Sequence, residues 1–216
     1  MAFNHLLKNK KVLITCGPTG VPIDTMRMIS NLSSGALGQM MAEDFAKAGA
    51  KVTLLEGPVS RPLRSRSIHI LKFMFFDELL ALIKKELKKK YDVCLHAAAV
   101  SDYRIKKPRK SKVSSQLKTL VLELVPTRKI INEIKRLNRN LFLVGFKLES
   151  KITKASAKQR SRALFQKAQC DLVVANSVQG QKYKGYILNK RNALLAHKKS
   201  RKQLSKALVD IVGKTL

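Results

Sequence analysis

The amino-acid sequence predicts a doubly wound α/β fold: a mostly parallel sheet with helices on both faces and a β-hairpin near the C-terminus. Three observations carry this reading. Short apolar runs alternate with stretches of helical apolar spacing through the first half of the chain. The alternation resumes after a basic, serine-rich middle. Two short runs near the end flank Asn189-Lys190-Arg191-Asn192, a turn sequence. In order, Lys11 to Cys16 is apolar and enters Gly17-Pro18-Thr19-Gly20, a buried strand meeting a turn. Leu37, Met40, Met41, Phe45 and Ala48 share one helical face, and Gly49 closes that helix. Val52 to Leu55 is a second strand, Phe75 to Leu87 an amphipathic helix, and Val93 to Val100 a strand ending in small residues. Arg104 to Gln116 has no period and reads as a long functional or mobile loop. Leu120 to Val125 is a strand, and Ile130, Ile131, Ile134 and Leu137 mark a helix. Leu141 to Phe146 is a strand, Ala155 to Ala168 a helix, and Leu172 to Ala175 a strand. Tyr186 to Leu188 and Ala193 to Ala196 form the hairpin, and Arg201 to Val212 the closing helix. No repeat or linker divides residues 1–216, so one domain is expected. The arrangement is Rossmann-like, a design that binds ligands at the carboxyl ends of its strands.

Composition narrows the function. With 45 % hydrophobic residues the chain is neither disordered nor fibrous. No apolar run reaches the roughly 18 to 20 residues that cross a bilayer. Met1 to Lys11 contains Asn, His and Lys and does not resemble a secretory signal. Cys16, Cys94 and Cys170 cannot pair completely and sit in or beside apolar runs, which fits reduced thiols in a cytoplasmic protein. There is no CxxC and no His/Cys cluster, so no structural zinc is expected. Lys plus Arg total 44 against 14 acidic residues, a formal charge of +30. Such a field attracts nucleic acid, anionic membranes or phosphorylated small molecules. The clusters lie at Lys84 to Lys90, Arg104 to Lys112 and Lys198 to Lys202. A nucleic-acid binder should interleave aromatics with its cations. Aromatics are only 6 % of this chain and few lie in the clusters, which speaks against a nucleic-acid binder; lysines filling solvated faces in a generally basic proteome explain most of the excess equally well.

Four polar segments follow strands. Gly17-Pro18-Thr19-Gly20 can approach phosphate closely, but it is neither GxGxxG nor a Walker loop, and a plain tight turn explains it equally. Arg27 to Gly35 (RMISNLSSG) precedes a helix. Ser33 or Ser34 can cap that helix, while Arg27, Asn31, both hydroxyls and the free N–H groups together make an anion site. His96 to Tyr103 (HAAAVSDY) leaves room for a ligand, with Asp102 able to accept from a ribose or base; His96 itself reads as a packed core histidine. Lys112 lies in KSKVSSQ, where a mobile lysine can neutralise a triphosphate, although from the residues alone one more solvated lysine in a basic run explains it better. A nicotinamide or flavin oxidoreductase is disfavoured, because the glycine fingerprint is missing and only Glu56 ends the second strand with an acid.

In this order, KVLITCGPTGVPID, RMISNLSSGALG, HAAAVSDY, KVSSQ, VGFKLES, DLVVANSV and NKRNALL resemble phosphopantothenoylcysteine synthetase. The likeness runs from about Lys11 to the C-terminal helix. It implies a coenzyme A pathway ligase that joins 4′-phosphopantothenate to cysteine through an acyl-nucleotide, consuming CTP or ATP with Mg2+ and releasing pyrophosphate. It also implies a homodimer in which each copy lends part of the site. The chain leaves no room for the flavin-dependent decarboxylase half found in many bacteria, so a stand-alone form is expected. By position, Asn31 should hold the carboxylate or acyl-nucleotide, with Arg27 nearby. Ser33, Ser34 and Gly35 should form the anion site, and Ala97, Ala98 and Asp102 should contact the nucleotide. Lys112 should bind the triphosphate and assist catalysis. Arg128, Lys129, Ile130, Ile131 and Phe146 should line the base pocket, Lys167 and Arg162 should reach phosphate, and Asn176 should add a polar wall. Gly17, Thr19 and His96 complete the nucleotide-binding candidates. The chain departs from the family at Pro18, at Ala36 (often Lys or Arg) and at Ser114-Ser115 (often basic). These departures keep an inactive relative among the alternatives.

Overall fold

The computed structural model describes residues 5–216; residues 1–4, the start of the lead-in read above as non-secretory, lie outside the described residues. β1 (Lys11–Cys16) passes through the small β2 (Gly20–Pro22) and β3 (Met28–Ser30) pair to α1 (Ala36–Lys47). β4 (Lys51–Glu56), β5 (Ile68–Lys72), α2 (Phe76–Glu86) and β6 (Val93–His96) follow. A second small pair, β7 (Tyr103–Ile105) and β8 (Leu124–Pro126), brackets the middle segment. Then come α3 (Ile130–Leu137), β9 (Phe142–Glu149), α4 (Lys154–Lys167), β10 (Leu172–Gln179), β11 (Lys182–Asn189), β12 (Leu194–Lys198) and α5 (Arg201–Thr215).

The main sheet runs β5-β4-β1-β6-β9-β10-β11-β12. Its first six strands are parallel, and β11 and β12 extend it antiparallel. Side chains alternate across it with period two. Val12, Ile14, Val93, Leu95 and Val144 meet α1 and α5 on one face. Leu13, Cys94, Leu143 and Val173 meet α2, α3 and α4 on the other. Strand order reverses between β1 and β6, which opens a crevice at their carboxyl ends.

One glycine lets α1 seat against β1. A Cβ at Gly38 would land on the Cβ of Cys16. Alanine would normally gain up to about 1 kcal/mol of helix propensity. Here overpacking, at about 1–3 kcal/mol, outweighs it. Gly38→Ala should therefore lower the urea unfolding midpoint at unchanged slope; a raised midpoint would mean that the contact is not tight.

The basic clusters also find a place. Each of the five helices ends at the amino edge of the sheet with a cation in its last turn: Lys47, Lys84 and Lys85, Lys135 and Arg136, Lys167, and Lys214. Cations there complement the negative ends of the helix dipoles. These seven cations thus face away from the crevice.

Some boundaries differ from the sequence reading. β5 was not anticipated, because Arg64 to Ser67 hides the short apolar alternation that pairs with β4. β9 and β10 run past their apolar stretches, held by pairing through Ser177↔Glu149. A turn at Gly180 (φ 55°) joins β10 to β11, so two hairpins rather than one close the sheet. The expected strand over Leu120 to Val125 shrinks to β8, and the middle segment is not a free loop, because its ends pair as β7 and β8.

Candidate active site

Each parallel strand delivers its following loop to one edge, and there a cavity of about 380 Å³ opens. One wall is Leu32 to Gly38, another is Ala97 to Val100, and the third holds Phe146, Lys147, Leu148, Asn176, Val178 and Arg201. The small side chains after β6 create the space. β6 leaves the sheet at His96 rather than Val100, although Ala97 and Ala99 still donate to the carbonyls of Thr15 and Gly17.

The start of α1 is the most distinctive feature. Its N-cap is Gly35 in the left-handed region (φ 70°), and no side chain caps the first turn. Ser34 Oγ receives only a long 3.4 Å bond from the Ala36 amide. The capping role open to Ser33 and Ser34 is thus not used. First-turn N–H groups of a 12-residue helix face the cavity without an internal acceptor, and no acidic residue lies in that turn. Two cations, Lys147 and Arg201, line the same space, and among the described residues no carboxylate does. Arg201 lies over the Tyr183 ring, 5.5 Å from its centroid, a cation–π contact that orients it.

A smaller cavity of about 300 Å³ adjoins through the backbone of Ala99 to Ser101. It holds Asn31, Asp102, Ser101 and Tyr103. The Asn31 amide donates to the Ala99 carbonyl at 3.2 Å, which fixes the head group. Asp102 is exposed and ion-paired with Lys129. The structure therefore brings Asn31 and Asp102 together, in a cavity whose lining meets that of the larger one along the chain, Asn31 beside Leu32 and Ser101 beside Val100.

Other candidates are placed differently. Gly17 packs against Gly57 and Val59. Thr19 is fully buried, bonded to Ser101 through both hydroxyls and the Ser101 amide. Neither lines the cavity; they brace the crossing of the two loops. His96 is buried with Nδ1 2.9 Å from the Thr15 hydroxyl, so the core reading holds and the ligand role does not. Ile130 sits in the core and Ile131 packs on it; Arg128 is exposed, and Lys129 serves Asp102. Of the proposed base-pocket residues only Phe146 reaches the cavity. Arg162 is exposed on α4 and Lys167 ends that helix at the opposite edge, so neither faces the cavity. Arg27 is occupied: Nε and Nη2 bond Asp24 at 3.0 and 2.7 Å, and Nη2 also donates to the Val113 carbonyl at 2.6 Å. Lys112, next to Val113, lies near this clasp rather than in either cavity. The strand leading from Arg27 to Asn31 spans roughly 13 Å at the rise of an extended chain. Sequence reasoning missed Lys147 and Arg201; each is one cation among 44, and nothing local marks it.

Burial shifts the titration of three groups in and beside the core strands. It pushes the His96 imidazole down to about 4 from 6.5. A depressed histidine favours the fold above its unfolded value and opposes it below, so stability should fall between about pH 6.5 and 4. The shift corresponds to on the order of 3 kcal/mol. His96→Gln should flatten that acid slope in urea titrations; an unchanged slope would place its origin elsewhere. Burial also raises the Cys16 and Cys170 thiols to about 12, and all three cysteines are free and buried.

Glu56 meets Lys72, the Gln39 amide at 2.7 Å and the Leu63 amide at 3.1 Å. An acid so engaged at the end of β4 does not wait for a dinucleotide ribose. Fold and site together define an α/β protein whose switch-point cavity is lined by uncapped helix amides and two cations, a lining suited to an anion. The chain belongs to the family described as the DNA/pantothenate metabolism flavoprotein C-terminal domain, whose model matches residues 7–215. It is 39 % identical over 214 residues to the coenzyme A biosynthesis bifunctional protein CoaBC of Thermococcus kodakarensis, covering 97 % of this chain and 52 % of that protein. It is 30 % identical to the Borreliella burgdorferi protein of the same name, over 95 % of this chain and 53 % of that one. It therefore spans about half the length of these curated relatives. The crystal structure of the DNA/pantothenate metabolism flavoprotein from Streptococcus pneumoniae superposes with a TM-score of 0.85 at 26 % identity, covering 96 % of this chain and all of that one. No helix among the described residues is long and apolar enough to cross a membrane.

Proposed function

We propose that this chain acts as one phosphopantothenate–cysteine ligase domain. The observation that carries the proposal is the uncapped start of α1 opening on a cavity with two cations and no carboxylate, in a chain of this family. In the first step a carboxylate oxygen of 4′-phosphopantothenate attacks the α-phosphorus of CTP or ATP, and pyrophosphate leaves. In the second the cysteine nitrogen attacks the carbonyl carbon. The bond to the nucleotide oxygen breaks, the nucleoside monophosphate leaves, and the nitrogen loses a proton. Neither step needs a protein nucleophile. Both develop dense negative charge, which oriented N–H groups and cations stabilise. The α1 amides, Ser33, Ser34, Lys147 and Arg201 are assigned to phosphate. Ala97, Ala98, Phe146 and Asn176 are assigned to the nucleoside, with Asp102 as polar partner and Asn31 on the reacting carboxyl group. Arg201 and Lys147 supply cations to a cavity that Ala36 lines without one. Among the described residues no cluster of metal-ligating side chains is present. Magnesium would enter with the substrate, held by the triphosphate oxygens and water.

The proposal includes a homodimer. Met26, Met28, Ile29, Leu32, Val121 and Leu124 are exposed on the arms at the cavity edge, an apolar patch suited to a second copy. Lys112 would then act in the partner's cavity rather than on its own Asn31. Pyrophosphate release with phosphopantothenate, cysteine and each nucleotide in turn tests the function. Release that requires the acid and yields phosphopantothenoylcysteine is expected with at least one nucleotide. A folded protein inactive with both overturns the proposal.

A further inference from the structure

One buried carboxylate has no part in the chemistry above. Asp24 lies at the tip of the β2–β3 hairpin and is 6 % exposed. Its Oδ1 accepts from the Met26 and Arg27 amides, each at 2.8 Å. Its Oδ2 accepts from the Arg27 side chain at 3.0 and 2.7 Å and from the Val113 amide at 3.0 Å. Arg27 returns to the Val113 carbonyl at 2.6 Å. Both backbone groups of Val113 are thus held by one ion pair, and Val113 follows Lys112 directly. A second tether, Arg109 amide to Ile23 carbonyl at 3.0 Å, fixes the segment four residues before Val113. Apart from these bonds the segment is exposed and without regular structure, so the clasp supplies most of its order.

We infer that Asp24 is a positioning residue: its carboxylate, with Arg27, fastens the segment carrying Lys112 to the β2–β3 hairpin, and Lys112 works only while that clasp is closed. The inference deepens the ligase reading and, for its kinetic arm, rests on it. Hydrogen bonds to a carboxylate are about twice as strong as neutral ones. The Val113 and Arg27 bonds hold the Asp24 carboxyl well below the usual carboxylate range, so the clasp persists through neutral pH. The other charged group beside the joint is Lys112 itself; Lys110 and Arg109 lie further back on the same segment.

Asp24→Asn keeps the shape but loses the charge and presents an N–H₂ to a guanidinium and an amide. Brief trypsin digestion of the full chain should cut after Arg109, Lys110 or Lys112 at least about fivefold faster in this variant, since cleavage tracks the open population. Val113→Pro, which deletes the donor from an exposed segment and leaves the sheet untouched, should speed cleavage after Arg109 and Lys110 likewise, the bond after Lys112 then preceding a proline and resisting trypsin. In turnover, Asp24→Asn should lose about as much as Lys112→Gln. Adding it to Lys112→Gln should cost less than about twofold more, because residues acting through one another are not additive. Equal digestion rates in the folded variants overturn the clasp, whether or not the protein is a ligase. A full additional loss in the Lys112→Gln background overturns the route through Lys112. Absence of ligase activity in the unaltered protein overturns the functional reading and leaves the digestion result standing by itself.

Discussion

Asn31→Asp is expected to reduce phosphopantothenoylcysteine formation at least about a hundredfold, the scale of one preorganised donor lost from a developing charge, while acyl-nucleotide accumulates. Asn31 is fixed by its bond to the Ala99 carbonyl and shares its cavity with Asp102. A carboxylate there would face the carbonyl oxygen it now donates to and a second carboxylate nearby. An acyl-nucleotide is itself anionic, so its binding and its attack by cysteine suffer most, whereas the first step relies on phosphate contacts elsewhere. Quenched-flow with mass spectrometry should show the intermediate persisting. Normal product turnover would remove Asn31 from the reaction.

Lys112→Gln is expected to lower turnover by at least about tenfold, with Lys110→Gln as the control that leaves it within about twofold. Equal losses from both would reduce the segment to diffuse charge. The position of Lys112 beside the hairpin tip adds a sharper test. If each site combines Asn31 of one copy with Lys112 of the other, mixing the two impaired variants under exchange conditions raises activity to about a quarter of the unaltered protein's. Half the dimers are then mixed, and each has one intact site. If both residues act within one copy, mixing restores nothing.

Much of this was legible in the sequence, for physical reasons. Lys11–Cys16, the α1 face from Leu37 to Ala48 and the α3 run from Ile130 to Leu137 have strong periods and clear stops, and the structure reproduces them closely. Ser33-Ser34-Gly35 and Ala97-Ala98 meet in the cavity because strand ends in a parallel sheet gather there. What failed depended on the third dimension. Thr19 and His96 carry polar groups in the right loop or strand, but Ser101 and Thr15 already satisfy them. Lys167 follows the right strand in sequence, yet α4 returns it to the far edge. Arg27 stands four residues before Asn31 and is bound by an aspartate whose second partner lies 89 positions away. Lys147 and Arg201 are ordinary surface cations until β9 and α5 aim them at one space.

The central claim is that a carboxylate attacks the α-phosphorus of a nucleotide within this cavity. Turnover with phosphopantothenate labelled with ¹⁸O in the carboxyl group tests it most directly. One labelled oxygen should appear in the nucleoside monophosphate, with the pyrophosphate unlabelled. Label in inorganic phosphate alongside a nucleoside diphosphate would mean attack at the terminal phosphorus, and would contradict the account.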